Sequence, residues 1–501
     1  MEALSGLIYG LSVALEAKNV FYAFVGSLAG TLIGVLPGLG PTATVALLLP
    51  ITFYLPPVPA IIMLAAIYYG SQYGGSTTSI LINLPGETAS IVTCLDGYQL
   101  ARRGRAGPAL AVSALGSLFA GVVATLFIAF FAPPLARFAL LFGPWEYFSL
   151  MVLGLLTAIV MAQGSVIKAL GMVTLGLLIS AVGLDINSGT PRMTFGIPQL
   201  IDGIGFVPLA MGLFAVGEII HNLEQSEEHS FLSEKIKNIW PTRDDFRRSW
   251  RAVLRGTALG TILGVLPGGG ATLSSFAAYA LEKRLSKEPE RFGQGAIEGV
   301  AAPESANNAG AQTSFIPLLT LGIPSNGVIA LLAGAMMMHG IQPGPLIMVK
   351  NPDLFWGVIS SMIVGNAMLV VINLPLIRIW VALLRVPYRV LYPAILMFCA
   401  IGAYAVSKSS LDVLLLFIFG VLGYVILKLR FEPVPLVLAF VLGPLMEENL
   451  RRAMVLSHGD PTMFLTRPIS AGLLLLALVV LGLMIIPSFR HTRKVAFQED
   501  L

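Results

Sequence analysis

The sequence predicts an all-α polytopic membrane protein made of two inverted repeats with broken helices and re-entrant hairpins, and three observations carry that prediction. The 501 residues are 56% hydrophobic and 12% charged, with a mean hydropathy of +0.83, whereas soluble domains are roughly 25% charged. An eleven-residue stretch occurs twice, GTLIGVLPGLG at 30–40 and GTILGVLPGGG at 260–270, identical at eight of eleven positions at an offset of 230 (260 − 30). Each half also carries a polar patch ahead of a Pro-containing interruption: Gly74-Gly75-Ser76-Thr77-Thr78-Ser79 before Asn83-Leu84-Pro85-Gly86, and residues 307–314 before Leu321-Gly322-Ile323-Pro324-Ser325-Asn326. Gly75 pairs with Gly310 and Ser79 with Ser314 at an offset of 235, and Pro85 with Pro324 at 239.

Taken in order, residues 4–15 are apolar but shorter than the roughly 20 residues a span needs, which predicts a short or interfacial helix. Residues 20–36 and 41–55 form the first broken pair. Proline removes a backbone donor and glycine permits positive φ, so the helix stops at the Leu-Pro-Gly step and starts again. In so apolar a chain a break is tolerated only inside protein or beside a water-filled cavity, and interrupted helices at matching places in two related halves point to a transport site. Residues 58–84 follow with Tyr68, Tyr69, Gln72 and the first polar patch. Residues 87–107 hold Arg102, Arg103 and Arg105, which the positive-inside rule places in the cytoplasm. Four apolar runs, 110–135, 147–162, 166–182 and 206–220, return the chain to that side. There residues 221–255, with Lys235, Lys237, Arg243, Arg247, Arg248, Arg251 and Arg255, read as a linker.

The second copy breaks at Pro267 and is followed by Lys283, Arg284, Lys287 and Arg291. Basic segments on both flanks make residues 256–281 a hairpin that enters and leaves by the cytoplasmic face. The first copy has only Lys18 before it and Pro56-Pro57-Val58-Pro59 after it, which suits the opposite face and makes the repeats inverted. Further apolar runs lie at 328–338, 355–376, 390–405, 411–427, 434–445 and 469–486, with Arg378, Arg385, Arg389, Lys428, Arg430 and residues 490–494 as basic ends. The total is roughly ten to twelve spanning or half-spanning helices. The expected organisation is a first half over 1–222 with breaks at 36–41 and 84–86, a linker over 223–255, a second repeat over 256–380 with breaks at 266–271 and 322–326, and C-terminal helices over 381–501.

The formal net charge of +4 comes from short basic clusters between apolar runs, which implies no nucleic-acid partner. Cys94 and Cys399 lack CxxC spacing and read as inert thiols. The start, MEALSGLIYG, has no basic n-region or small-residue cleavage site and reads as retained membrane sequence. An intramembrane enzyme needs a nucleophile with its base, or metal ligands. His221, His229, His339, His458 and His491 form no HExxH or paired arrangement, and Met336-Met337-Met338-His339 reads as packing plus a polar helix end. No phosphate loop for ATP drive occurs, so neither an enzyme nor a cofactor is expected.

Several long motifs in one order resemble a known family. The runs GVLPGLGPTATVALLLP, YGGSTTSILINLPGE, GLDINSGTPRMTFG (183–196), NNAGAQTSFIPLLTLGIPS and RRAMVLSHGDPTMFLTRP are similar to the tripartite tricarboxylate transporter family, in its large membrane subunit, TctA, over essentially the whole chain. The resemblance implies secondary uptake of a di- or tricarboxylate in the bacterial inner membrane, usually coupled to a cation, Na+ or H+. It also implies a small membrane subunit, TctB, and a periplasmic solute-binding protein, TctC, with homo-oligomerisation left open. The hairpins further resemble elevator-type transporters, an analogy of fold alone.

The residue chemistry at the breaks points to an anion carrier independently. Where a helix restarts, its first N–H groups are unpaired and its dipole favours an anion. Gly40, Pro41, Thr42 and Thr44, with Gly270, Thr272, Ser274 and Ser275, are therefore the expected carboxylate cradles, with Ser76 and Thr77 on the adjoining wall. Where a helix stops, its unpaired carbonyls suit a hard cation. Leu36, Leu84, Gly322 and Ile323, with the side chains of Asn83, Asn307, Asn308, Thr313, Ser325 and Asn326, form the expected cation site. Each hydroxyl and amide fits a capping or packing role equally well. Lys168 and Glu218, near run ends, fit snorkelling to the interface, and Asp185 and Arg192 fit structural or partner contacts. Glu298 and Glu304 read as solvated loop carboxylates, with tuning of cation affinity or a proton step as the alternative. A passive anion channel or a carrier of another small organic anion shares these features; saturation and counter-exchange separate carrier from channel.

Overall fold

A computed structural model describes residues 2–36, 38–162, 165–185, 188–224, 238–266, 270–384 and 388–485. Pro37, Pro267, His229, Lys235, Lys237, Arg385 and residues 490–494, His491 among them, lie outside the described residues. The first half runs α1 (Glu2–Ala14), α2 (Ala17–Gly34), α3 (Pro41–Phe53), α4 (Pro57–Ile82), a 3-10 turn Thr88–Ser90, α5 (Ile91–Arg102), α6 (Ala106–Ala139), α7 (Pro144–Met161), α8 (Val166–Ser180) and α9 (Phe206–Glu224). The second runs α10 (Arg243–Gly264), α11 (Gly270–Leu285), α12 (Glu298–Thr313), α13 (Phe315–Leu321), α14 (Gly327–Met338), α15 (Pro352–Asn373), α16 (Ile377–Leu383), α17 (Tyr388–Ser407), α18 (Ser410–Lys428), α19 (Val434–Leu456) and α20 (Pro468–Ile485).

Among the described residues, helices α6, α9, α15 and α18 are long and apolar enough to cross a membrane, and seven further apolar helices are shorter. Two of the short ones, Pro41–Phe53 and Gly327–Met338, start at the interruptions, where a hydropathy count does not separate half-spans from spans. The first helix, Glu2–Ala14, has the short length expected of it and packs along α15. Between α8 and α9 a small hairpin pairs β1 (Gly183–Leu184) with β2 (Pro191–Arg192).

Two equivalent helix pairs form the centre, α2 on α4 and α10 on α12. Gly26, Gly30 and Gly34 lie against the carbonyls of Met63, Ile67 and Ser71, and Gly256, Gly260 and Gly264 against those of Ala302, Ala306 and Gly310. A Cβ on any of the six would collide with main chain. Small residues every fourth position let two backbones touch, the packing device that replaces hydrophobic drive in a bilayer. The glycines repeat at 230, but their partners repeat at 239 (302 − 63), as do the left-handed stops Asn83 (φ 59°) and Gly322 (φ 77°). The pairing of Gly75 with Gly310 and Ser79 with Ser314 is therefore one helical turn out of the packing register. A shift of four residues nearly preserves a helix face, so small and polar residues match about as well in either register.

The basic segments gather at one end. Arg105 pairs with Asp245, Gly107 rests on the Asn238 carbonyl, and Arg255 Nη2 meets Glu282 Oε1 at 2.5 Å. Burial alone would raise the Asp245 carboxyl, but its bonds to Arg105 and Thr242 outweigh that and hold it below the ordinary carboxylate range. Asp96 at the same end receives the N–H groups of Gly293 (2.9 Å), Gly295 (2.7 Å) and Ala296 (2.7 Å).

Substituting Gly260→Leu should cost about 3 kcal/mol or more, because the helices must separate or distort. Gly171, whose added Cβ would meet nothing within 4 Å, serves as control: Gly171→Ala should stay within about 0.5 kcal/mol. Thermal unfolding in detergent reads both, and equal melting temperatures would remove the close approach as a requirement.

Candidate functional site

Four helical starts meet in the interior. Gly40 caps α3 with Pro41 at the first helical position, Gly270 opens α11, Glu87 caps the 3-10 turn before α5, and Asn326 caps α14. Each repeat's hairpin meets the other repeat's restart. A Cβ on Gly327 would lie 3.5 Å from the Thr42 methyl, and Thr272 Oγ1 lies 2.9 Å from Thr88 Oγ1. These are equivalent contacts, since Thr272 is 230 on from Thr42 and Gly327 is 239 on from Thr88. A Cβ on Gly270 would lie 3.2 Å from Asn326 Nδ2, and one on Gly40 would lie 3.7 Å from the Gly86 carbonyl. Gly86 itself rests on the Gly75 backbone, where no side chain fits.

Beneath the starts runs a buried polar chain. Gln72 Nε2 donates to Asn307 Oδ1 at 3.2 Å, and Asn307 Nδ2 donates to Glu87 Oε1 at 2.7 Å. The Tyr68 hydroxyl interacts with Asn326 and Gln72. Asn326 Oδ1 accepts the Ile329 N–H at 3.0 Å. The centre thus offers N–H groups, hydroxyls and amides converging from both repeats, with the carboxylate of Glu87 among them and that of Glu218 at the Gly40 N–H.

The structure brings together Gly40, Pro41, Thr42, Gly270, Thr272, Asn307 and Asn326, and disperses the remaining candidates. Thr44, Ser274 and Ser275 are fully buried and bond to the carbonyls of Gly40 (3.0 Å), Gly270 (2.6 Å) and Pro303 (3.1 Å). Thr77 and Thr313 bond back to Tyr73 and Ala309 in their own helices, each at 3.0 Å, the usual satisfaction of a hydroxyl within a helix. Ser76 faces Glu304. Asn308 points to α6 and α15, bonding the Ser117 carbonyl and Asn366 Oδ1.

The expected cation set does not assemble. The Leu36 carbonyl accepts from Leu39 N, the Asn83 side chain is exposed, and the Leu84 carbonyl lies 3.5 Å from Ser79 Oγ. Gly322 and Ile323 lie by Pro343 and Gly154, and Ser325 Oγ donates to the Ser314 carbonyl at 3.0 Å. The Leu36 and Leu84 carbonyls are thus engaged by local contacts. Asn326 belongs with the helix starts, as a cap. Among the described residues no group of three or more His, Cys, Asp or Glu is placed to hold a metal.

Two acidic residues sit differently from expectation. Glu304 is not a solvated loop residue: it lies inside α12, 3% exposed, and is hydrogen-bonded to Ser76, Thr93 and Ser113. Glu218 turns inward to the Gly40 backbone N–H, while Asn222 Nδ2 donates to the Gly38 carbonyl at 2.7 Å, so α9 pins the tip of the first hairpin. Glu298 stays at the basic end, 3.7 Å from Arg248. Lys168 bonds the Leu429 carbonyl at 2.7 Å as an end residue does. Asp185 and Arg192 join Arg451 and Glu447 in an ion-pair cluster (2.6–3.6 Å) lining a groove of about 780 Å³. Pattern alone does not single out Thr88, Thr93 or Ser113; for Glu87 a signal exists, since an acidic residue directly after a Pro-Gly break marks a helix start.

A helical multi-pass bundle whose interrupted helices meet from both halves has the build of a membrane transporter. The chain belongs to the tripartite tricarboxylate transporter TctA family, whose model matches residues 20–438. Families of this kind serve tripartite systems with TctB and TctC partners. The chain is 56% identical over 500 residues, 100% of both chains, to an uncharacterized 52.8 kDa protein in the TAR-I ttuC' 3'region of Agrobacterium vitis. It is 57% identical over 241 residues, 48% of this chain and 100% of the other, to an uncharacterized protein in the TAR-II ttuC' 3'region of that organism. No solved structure matches it significantly.

Asn307→Ala should lower stability by about 1.5–3 kcal/mol, the range for a hydrogen bond to a charged group, here Glu87. Restoration by Asn307→Gln is not expected, because the extra methylene has no room in a helix buried on all sides. Thermal unfolding of the two variants checks this.

Proposed function

We propose that the four helical starts bind the carboxylate groups of a di- or tricarboxylate handed over by a periplasmic solute-binding protein, and that this subunit carries it inward across the bacterial inner membrane with a coupled cation. The supporting observation is the exchange between repeats: Thr42 with the start of α14, and Thr272 with Thr88. Unpaired N–H groups and helix dipoles from both halves face one centre, and oppositely aimed charges of a dicarboxylate suit paired cradles. In this reading the two hairpins enter from opposite faces as inverted repeats, and substrate is exchanged between sides by movement of one repeat assembly against the other, of elevator type. The small membrane subunit completes the complex within the bilayer.

Thr272→Val keeps shape and removes a hydroxyl, which for a bond to a charged partner is worth about 1.5–3 kcal/mol, or about 10-fold to 150-fold in affinity. Uptake into vesicles holding both membrane subunits, with carboxylates presented on the binding protein, should saturate, counter-exchange and show that rise in KM. Unsaturable flux would indicate a channel, and an unchanged KM would confine recognition to backbone N–H groups. In a variant with Cys94 and Cys399 replaced, a cysteine at Val58 should label from outside and one at Lys287 from inside. Labelling of both from one side would mean parallel repeats.

A further inference from the structure

We propose that Glu304 is the proton-carrying group of the transport cycle, protonated in the state described here and released when α12 moves against α4, α5 and α6. The proposal rests on the reading of this chain as a cation-coupled carboxylate carrier and names its coupling site. Glu304 reaches out of the second repeat and is held by three helices of the first. Thr93 Oγ1 on α5 lies 2.5 Å from Oε1, and Ser76 Oγ on α4 and Ser113 Oγ on α6 lie 2.6 and 2.9 Å from Oε2. Any sliding of one repeat past the other must break this set.

Among the described residues no positive group answers the carboxyl. The titratable groups facing it are Tyr73 on α4, Glu87 before the 3-10 turn and Cys94 on α5, while α6 offers the hydroxyls of Ser113 and Ser117. Helices α10 and α11 meet the other flank of α12, through Gly256, Gly260 and Ser275. A carboxylate ionised here would be a buried charge with no counter-charge, at a cost of several kcal/mol.

Donor counting gives the proton a position. Ser76 Oγ lies 3.0 Å from the Gln72 carbonyl as well as 2.6 Å from Glu304 Oε2. A hydroxyl owns a single proton. Thr77, the next hydroxyl on α4, directs its proton to the carbonyl four residues back, and Ser76 doing the same leaves the shorter contact to be made by a carboxylic acid O–H donating to Ser76 Oγ. A metal ion fits less well: oxygens that share a cation stand apart around it, whereas these already stand at hydrogen-bond distance. The step is a proton transfer only. Glu304 takes a proton from water on the outer side, crosses neutral, and returns the proton to water inside, so that one negative charge of the substrate is balanced per cycle.

The test uses vesicles holding the complete complex, its small membrane subunit and binding protein included. In the wild type an imposed inward proton gradient should drive carboxylate accumulation. Glu304→Gln, an isostere of the protonated acid, should abolish that accumulation, keep counter-exchange at equal pH, and remove a carboxylic-acid C=O band from infrared difference spectra recorded as pH is changed. Ser76→Ala, which removes the proposed acceptor of the acid proton, should move the pH of half-maximal uptake downward. Full accumulation by Glu304→Gln, an upward shift with Ser76→Ala, or wild-type accumulation that follows a Na+ gradient and ignores pH would each overturn the proposal. A wild type that moves no carboxylate would sink the transport reading instead, and the infrared band, which needs no substrate, would still report on Glu304.

Discussion

A helix that stops inside an apolar medium leaves carbonyls unpaired, the one that follows it leaves N–H groups unpaired, and no lipid can satisfy either. This constraint governs the molecule. Its four interruptions are tolerated because other protein closes on them. Gly75 and Gly86 touch backbone to backbone, Asn326 caps α14 with its own amide, and Ser325 supplies the Ser314 carbonyl with a proton. The carbonyl ends are consumed by such bonds. Neither Gly40 nor Gly270 has a side chain with which to cap its own helix, and Glu218 reaches the Gly40 N–H from α9.

The close approach of α2 to α4 and of α10 to α12 follows from the same need. A hairpin tip can be buried only if its arms lie tight against a continuous helix, and Gly26, Gly30 and Gly34 with Gly256, Gly260 and Gly264 remove the side chains that would hold them off. The helices they press upon, α4 and α12, are buried around almost their whole circumference. Such helices have no polar face to show water, so their polar residues face partners. In α12 these are Glu304, Ser305, Asn307, Asn308, Gln312 and Thr313.

Much of this was legible in the chain. The duplicated Gly-rich stretch marks where α2 gives way to α3 and α10 to α11, and Pro85 and Pro324 mark the second pair of interruptions. What failed did so for identifiable reasons. Glu304 sits in EGVAAPESANNAGAQT, where small apolar residues alternate with polar ones, and hydropathy cannot tell a loop in water from a helix whose polar groups are satisfied by other helices. Of the carbonyls expected to hold a cation, that of Leu36 accepts from Leu39 N and that of Leu84 lies near Ser79 Oγ, local bonds that a pattern of stops does not reveal. The register error arose because one turn of helix is nearly invisible to a pattern of small and hydroxyl residues.

The two acids at the centre are connected through one turn of one helix. Glu304 and Asn307 are three residues apart on α12 and therefore lie on neighbouring faces. Glu304 holds α4, α5 and α6, and Asn307 holds Glu87 and Gln72 beside the helical starts. A displacement that frees the first necessarily shifts the second, because a packed helix moves as a body. Glu87 stands where the helix dipoles favour negative charge, so it competes electrostatically with an arriving carboxylate for the same N–H ends. A contiguous set of contacts is not itself coupling; coupling requires an element with two arrangements that both ligands bias. In the carrier reading proposed above that element is α12 against the first repeat, since the bonds that hold Glu304 and those that place Asn307 cross the same interface.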